Sequence, residues 1–201
     1  MLADHARFLE HAFDILNATY FEKKLPKVVI TIQTSPRSYG YITTQKVWGD
    51  KDGIESFYEI NISAEHLSRP IENVCATLLH EMVHLYCMCE KIQDTSNNGR
   101  YHNKKFKAEA EKRNLIIEHA KYIGWSVTTP SDEFVTMLKN NGLLKNIEHS
   151  RNTKALLISP KGKRKSSTRK YICPTCKASV RATKDINIIH ADCGVLMVKV
   201  D

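Results

Sequence analysis

The 201-residue sequence predicts an α+β fold in two parts, on the strength of three observations. An amphipathic opening stretch leads into runs rich in β-branched residues; a long apolar run free of Gly follows; and the C-terminal stretch from 171 sets paired cysteines among short alternating segments. These features divide the chain into a main domain over 1–150, a linker over 151–170 and a small β unit over 171–201.

Residues 4–21 place Phe8, Ala12 and Leu16, with Phe13 and Tyr20 one step round, at helical spacing. KVVITIQT (Lys27–Thr34), entered through Pro26, reads as a strand. Tyr39–Trp48 and Phe57–Ser63 read as two more, on either side of the turn-forming GDKDG. From Pro70 to Glu90 the residues Val74, Leu78, Leu79, Met82, Val83, Leu85 and Tyr86 nearly encircle a helix axis, which predicts a buried central helix. Pro70, with its fixed φ, and Glu72, at the positive end of the dipole, suit its first turn. The polar loop QDTSNNGR leads to a charged helix of roughly His102–Tyr122, then a shorter one near Asp132–Asn140. Ser179–Ala182 and Ile186–Ile189 supply strands to the C-terminal unit.

Hydrophobic residues make up 42% and charged residues 26%, the balance of a soluble globular chain. Asp4, Arg7, Glu10 and Asp14 interrupt the amino-terminal apolar residues, and no charge-free span is long enough for a membrane helix, so a cytoplasmic monomer is expected, with a nucleoid or nuclear location compatible. The net charge of +8 is local. Residues 154–201 carry 11 Lys+Arg against 3 Asp+Glu, whereas residues 1–153 carry 19 of each. A neutral body with a basic tail suggests a polyanionic partner, nucleic acid first. The cysteines split likewise: Cys75, Cys87 and Cys89 on the apolar helix read as buried thiols, and Cys173, Cys176 and Cys193 as metal ligands.

The apolar helix carries His80, Glu81 and His84 in the spacing H-E-x-x-H. Positions four apart lie about 40° from each other on a helix, so both imidazoles address one point and match a tetrahedral zinc ion. Glu81 stands beside that point, where it can take a proton from water and return it to a leaving amine. Residue frequencies give about 0.03 chance matches to the pattern. A catalytic zinc of this type needs a third protein ligand, for which His102, Glu109 and Glu111 are candidates. A His six residues after His84 is excluded, because that position is Glu90.

LLHEMVHLYCM followed by GRYHNKKF (Gly99–Phe106) resembles the SprT-like zinc metalloprotease family, which includes the DNA-dependent protease Spartan. The stretch FDILNATYFEKKLPKVVI and the segment INISAEHL (Ile60–Leu67) extend the likeness upstream. The resemblance implies a zincin-like domain, selects His102 as third ligand, and implies proteolysis of proteins crosslinked to or held on DNA. One departure stands next to His102: family members commonly have Gly where this chain has Asn103. Tyr101 is the candidate for an oxyanion stabiliser.

In the tail, Cys173 and Cys176 form C-x-x-C, and His190 and Cys193 form H-x-x-C after a 13-residue gap. Two such knuckles supply four N/S ligands and predict a structural zinc in a β-ribbon; three thiolates with another donor is the alternative. No βαβ pattern surrounds the C-x-x-C, which disfavours redox use. The tail also resembles the small zinc-binding domain that follows the catalytic domain in SprT-like proteins. SPKGKRKSSTRK (Ser159–Lys170) has no acidic or large apolar side chain and predicts a flexible linker. Its Lys161, Lys163, Arg164, Lys165, Arg169 and Lys170 suit sequence-independent phosphate contacts, to single-stranded DNA among others. The expected function is thus a zinc endopeptidase, with one catalytic and one structural zinc, acting on protein substrates at DNA. A regulatory nucleic-acid-binding protein on the same scaffold and a protease specific for one regulator are the alternatives.

Overall fold

The computed structural model describes residues 2–145, 147, 149–152 and 167–200. The chain divides into two compact units, Met1–Ala155 and Leu156–Asp201. In the first unit, helix α1 (Leu2–Phe21) precedes strands β1 (Val28–Thr31), β2 (Gly40–Ile42), β3 (Trp48–Gly49) and β4 (Ser56–Ile62). Strand β4 is the sheet's centre: β1 pairs with it in parallel, β2 and β3 antiparallel, which leaves β2 at an edge. Val28–Thr31 is the β-branched core of the longer run expected there. The expected single strand Tyr39–Trp48 is instead two short pieces, β2 and β3, interrupted between Thr43 and Val47.

Helix α2 (Ile71–Cys89) runs through the middle of the core, with twelve of its nineteen residues buried, as an apolar surface on nearly all sides requires. It packs against α1, β2 and β4 and, on its other flank, against a second sheet. Pro70 stands just before it as the N-cap. Cys75 and Cys87 are buried as expected, and burial pushes both thiols up to about 12; Cys89, contrary to expectation, is exposed.

The main correction lies between 102 and 122. The expected long helix is only α3 (Lys104–Glu111), which Asn114 ends by adopting φ +60°, a conformation that Asn tolerates better than most side chains. Leu115–Ala120 then forms β7, with Leu115 and Ile117 buried and Ile116 and Glu118 exposed, a period of two rather than 3.6. Strand β8 (Gly124–Pro130) returns antiparallel to it. The sheet is completed by β5 (Thr95–Ser96) and β6 (Tyr101–His102) in the order β5-β6-β8-β7. Helix α4 follows at Asp132–Asn140, the range expected, capped by the Ser131 hydroxyl accepting from the Phe134 N–H at 3.2 Å.

In the second unit β9 (Arg169–Ile172) is flanked by β10 (Ser179–Ala182) and β13 (Val198–Val200), and β11 (Ile189–His190) pairs with β12 (Val195–Leu196). Of the expected strand Ile186–Ile189, only Ile189 is extended in β11. Lys161, Lys163, Arg164 and Lys165 lie outside the described residues. Arg169 and Lys170, expected in the flexible linker, are instead the first two residues of β9. Among the described residues no helix is long and apolar enough to cross a membrane.

Candidate metal centre and active site

Helix α2 and strand β6 bring three imidazoles to one point. The Nε2 atoms of His80, His84 and His102 lie 3.2, 3.2 and 3.0 Å from one another. His80 and His84 arrive from successive turns of α2. His102 is delivered by non-local pairing: its N–H donates to the Ile123 carbonyl at 3.0 Å, and it sits opposite Gly124 across the parallel β6–β8 bridge. That bridge requires glycine, since a Cβ on Gly124 would stand 2.2 Å from the His102 carbonyl oxygen, and its φ is +73°. Phe106, fully buried on α3, floors the cluster with its ring 4.5, 4.5 and 4.8 Å from those of His80, His84 and His102.

The opposite side of each ring explains its orientation. His80 Nδ1 lies 2.7 Å from Thr128 Oγ1, whose own proton is directed at the Ser126 carbonyl; His84 Nδ1 lies 2.5 Å from Asp94 Oδ2; His102 Nδ1 lies 3.3 Å from the Ile123 carbonyl. Each Nδ1 donates to an oxygen, so each Nε2 carries its lone pair inward. Three bare lone pairs at this separation repel unless a cation lies among them, and a tetrahedral zinc with bonds of 2.0–2.1 Å would set them about 3.3 Å apart. The donor set fits zinc. Burial, reinforced by the neighbouring imidazoles, holds His80 well below its ordinary value; burial and His84 bring His102 down to about 4. Both effects favour the neutral, ligating form.

Glu81 is buried beside the cluster and accepts no hydrogen bond among the described residues. Burial, strengthened by Asp94 and only partly opposed by His84, pushes its carboxyl up to about 7. Edge strand β2 passes close by: a Cβ on Gly40 would stand 3.4 Å from Glu81 Oε1 and 3.0 Å from Thr77 Cγ2. Of the other candidate ligands, Glu109 is held by Lys112 at 2.6 Å and Arg113 at 2.9 Å, and Glu111 faces Lys107 at 3.5 Å. The Tyr101 hydroxyl is 3.1 Å from His119 Nε2. Asn103, where the family resemblance anticipates Gly, caps α3: its Oδ1 accepts from the N–H groups of Lys105 at 2.7 Å and Phe106 at 3.3 Å. Sequence reasoning missed Asp94, Thr128 and Gly124; the first two are ordinary polar residues without a local pattern, and Gly124 lies in a hairpin that was not anticipated.

In the second unit Cys173, Cys176, His190 and Cys193 come together, one ligand atom from each lying within 4.8 Å of the others. The two knuckles have matching backbones. Lys177 N–H donates to the Cys173 carbonyl at 3.0 Å and Gly194 N–H to the His190 carbonyl at 2.8 Å. The donors in the two knuckles have φ of +64° and +63° respectively. His190 thus holds the place in the second knuckle that Cys173 holds in the first. Backbone N–H groups of Cys176 and Thr175 outweigh desolvation and lower the Cys173 thiol to about 7, which favours the thiolate. Arg169 is turned within its own unit, donating to the Thr183 carbonyl at 2.7 Å and facing Asp185 at 3.7 Å.

Fold and site together define a mixed α+β protein built around a three-histidine candidate metal centre on a central helix. Residues 9–122, more than half of the chain, match the SprT-like family, and the chain belongs to that family, which is linked to metallopeptidases. A comparison with curated proteins returns no match.

Proposed function

We propose that the protein is a zinc-dependent endopeptidase that acts on proteins bound or crosslinked to DNA. The observation that carries the proteolytic reading is the convergence of three inward-facing Nε2 atoms beside a buried carboxylate that no cation neutralises. His80, His84 and His102 would hold the metal; zinc, when bound, supplies Lewis acidity that polarises the scissile carbonyl and eases deprotonation of water. Glu81 takes the proton from the attacking water and delivers it to the departing amine, and its desolvated setting raises its basicity for the first transfer. Edge strand β2 offers unpaired backbone groups along which an extended peptide can pair, and the missing side chain of Gly40 keeps that track open next to Glu81. Cys173, Cys176, His190 and Cys193 would hold a second, structural zinc in a ribbon.

The DNA part of the reading is supported by the charge division, 11 basic against 3 acidic residues in 154–201. Because Arg169 is engaged inside its own unit, Lys161, Lys163, Arg164 and Lys165 are the main phosphate contacts, with Lys170 beside them. The deciding experiment compares the unmodified protein with Glu81→Gln. Both should carry two zinc ions by elemental analysis, and only the former should cleave casein or a DNA-bound protein, faster with single-stranded DNA present. Full cleavage by Glu81→Gln would overturn the mechanism; cleavage indifferent to DNA would favour a protease dedicated to one regulator.

A further inference from the structure

The main domain is neutral as a whole but not in its parts. Residues 100–121 hold seven basic residues against Glu109, Glu111 and Glu118, so the rest of the domain is correspondingly acidic. Two of those three carboxylates are already engaged, Glu109 by Lys112 and Arg113 and Glu111 by Lys107. Arg100, Lys104, Lys105 and Lys121 make no ion pair among the described residues, so the start of α3 and the tip of the β7–β8 hairpin present uncompensated positive charge.

Aromatic rings interleave with this charge. The Tyr101 hydroxyl meets His119 Nε2 at 3.1 Å; His119 lies edge-on to Trp125 at 5.0 Å, its cross-strand partner; and Lys107 Nζ sits 4.0 Å over the Trp125 ring. At the hairpin tip Tyr122 is 80% exposed, with Lys121 Nζ 5.5 Å from its ring centre, and Ile123 beside it is also exposed. A tyrosine this exposed contributes little to packing. Trp125 is half-buried against the core beneath Lys107, which also meets Glu111, whereas Tyr122 stands free beside the unpaired Lys121. Rings set close to cations are what a flexible polyanion with planar bases needs: stacking surfaces for the bases and cations for the phosphates. A folded protein partner would call for a broader apolar centre with little charge.

We infer that the β7–β8 hairpin and the start of α3 form a binding surface for single-stranded nucleic acid, with Trp125 and Tyr122 as stacking residues and Arg100, Lys104, Lys105 and Lys121 as phosphate contacts. The inference rests on the protease reading for its purpose, because Tyr101 adjoins the third histidine and a strand on this surface would bring its bound protein to the metal centre. It differs from the linker and the C-terminal unit in placing nucleic acid on the main domain itself.

The test uses the chain's two tryptophans, Trp48 and Trp125. In full-length Trp48→Phe, Trp125 is the sole tryptophan, and titration with oligo(dT) should quench its fluorescence in step with the rise in anisotropy of a labelled oligonucleotide. If that variant does not fold, the difference in quenching between the unmodified protein and Trp125→Phe gives the same reading. Lys121→Ser with Tyr122→Ala, both at the exposed tip, should weaken the quenching titration about tenfold. Binding by anisotropy without quenching of Trp125, or quenching by a peptide substrate and not by oligo(dT), would overturn the inference. Casein cleavage by the unmodified protein is read separately: cleavage without quenching removes this surface alone, and quenching without cleavage removes the protease reading alone.

Discussion

The side-chain amide of Asn103 donates to the Gln93 carbonyl at 2.8 Å, and so ties the residue after one imidazole of the candidate metal centre to the loop that orients another. Asp94, which receives His84 Nδ1, follows Gln93, and its own carbonyl accepts from the Asn103 N–H at 2.9 Å. Asn103 therefore does two jobs that substitution can separate. Asn103→Asp keeps the oxygen that caps α3 but sets a carboxylate against the Gln93 carbonyl. It should lower zinc affinity about tenfold, measured by chelator competition, with the cap retained. Asn103→Ala loses both and should cost about 1 kcal/mol more in stability. Equal zinc affinity in Asn103→Asp and the unmodified protein would remove the link between loop and metal.

Thr128 is the equivalent support for His80. Its hydroxyl donates to the Ser126 carbonyl at 3.3 Å, and its oxygen is left as the acceptor for His80 Nδ1 at 2.7 Å. Thr128→Val is near in volume and removes the acceptor, so zinc affinity should fall 10- to 100-fold, roughly the range for lost orienting partners, with Thr128→Ser restoring most of it. If Val and Ser variants bind zinc alike, the bond to His80 does not set its tautomer.

How much of this was legible in the sequence depended on whether the signal was local. Helix α2 and its His80-Glu81-His84 pattern were readable because the periodicity, the missing Gly and the ligand spacing all lie within one stretch. His102 could be selected only by resemblance, since what brings it to the helix is pairing with β8, some twenty residues away. The stretch after it reads as one long helix because Lys, Glu and Ala at 104–112 favour a helix so strongly that they mask the change of period at Asn114. Adjacent Ile116 and Ile117 were the available sign of a strand. Asp94 and Thr128 carry no such sign, because a single hydrogen bond to a ring nitrogen leaves no pattern in the chain.

Removal of zinc should make stability depend on pH in a defined direction. In the metal-free fold His80 stays well below 6.5 and His102 near 4, whereas unfolded histidines titrate near 6.5. As pH falls from 6.5 towards 4.5, the unfolded chain takes up two protons at these positions that the folded one refuses, so stability falls. Glu81 acts oppositely: its carboxyl, raised to about 7, is protonated in the fold before it is in the unfolded chain. Two groups against one leave a net loss on acidification. The melting temperature of chelator-treated protein should drop by several degrees from pH 6.5 to 5, and more steeply in Glu81→Gln, where the opposing group is gone. A melting temperature that rises on acidification would contradict the burial assigned to the two histidines.

The matched knuckles of the second unit make the last prediction. Gly194 and Lys177 occupy the same place after the last cysteine of each knuckle, at φ +63° and +64°, and donate equivalent hydrogen bonds to the carbonyls of His190 and Cys173, the first residue of each. An L side chain in this conformation costs roughly 1 kcal/mol, a penalty that Gly194 escapes and Lys177 bears. Lys177→Gly should therefore raise the resistance of the C-terminal unit to metal loss, despite also giving up the bond from Lys177 Nζ to the Pro174 carbonyl at 2.9 Å. Gly194→Ala should lower that resistance by a similar amount. Thiol reactivity of Cys173, Cys176 and Cys193 under chelator challenge measures both. Opposite changes in the two variants are expected if the knuckles share one geometry; a loss in Lys177→Gly as large as in Gly194→Ala would show that the lysine's contacts outweigh its backbone strain.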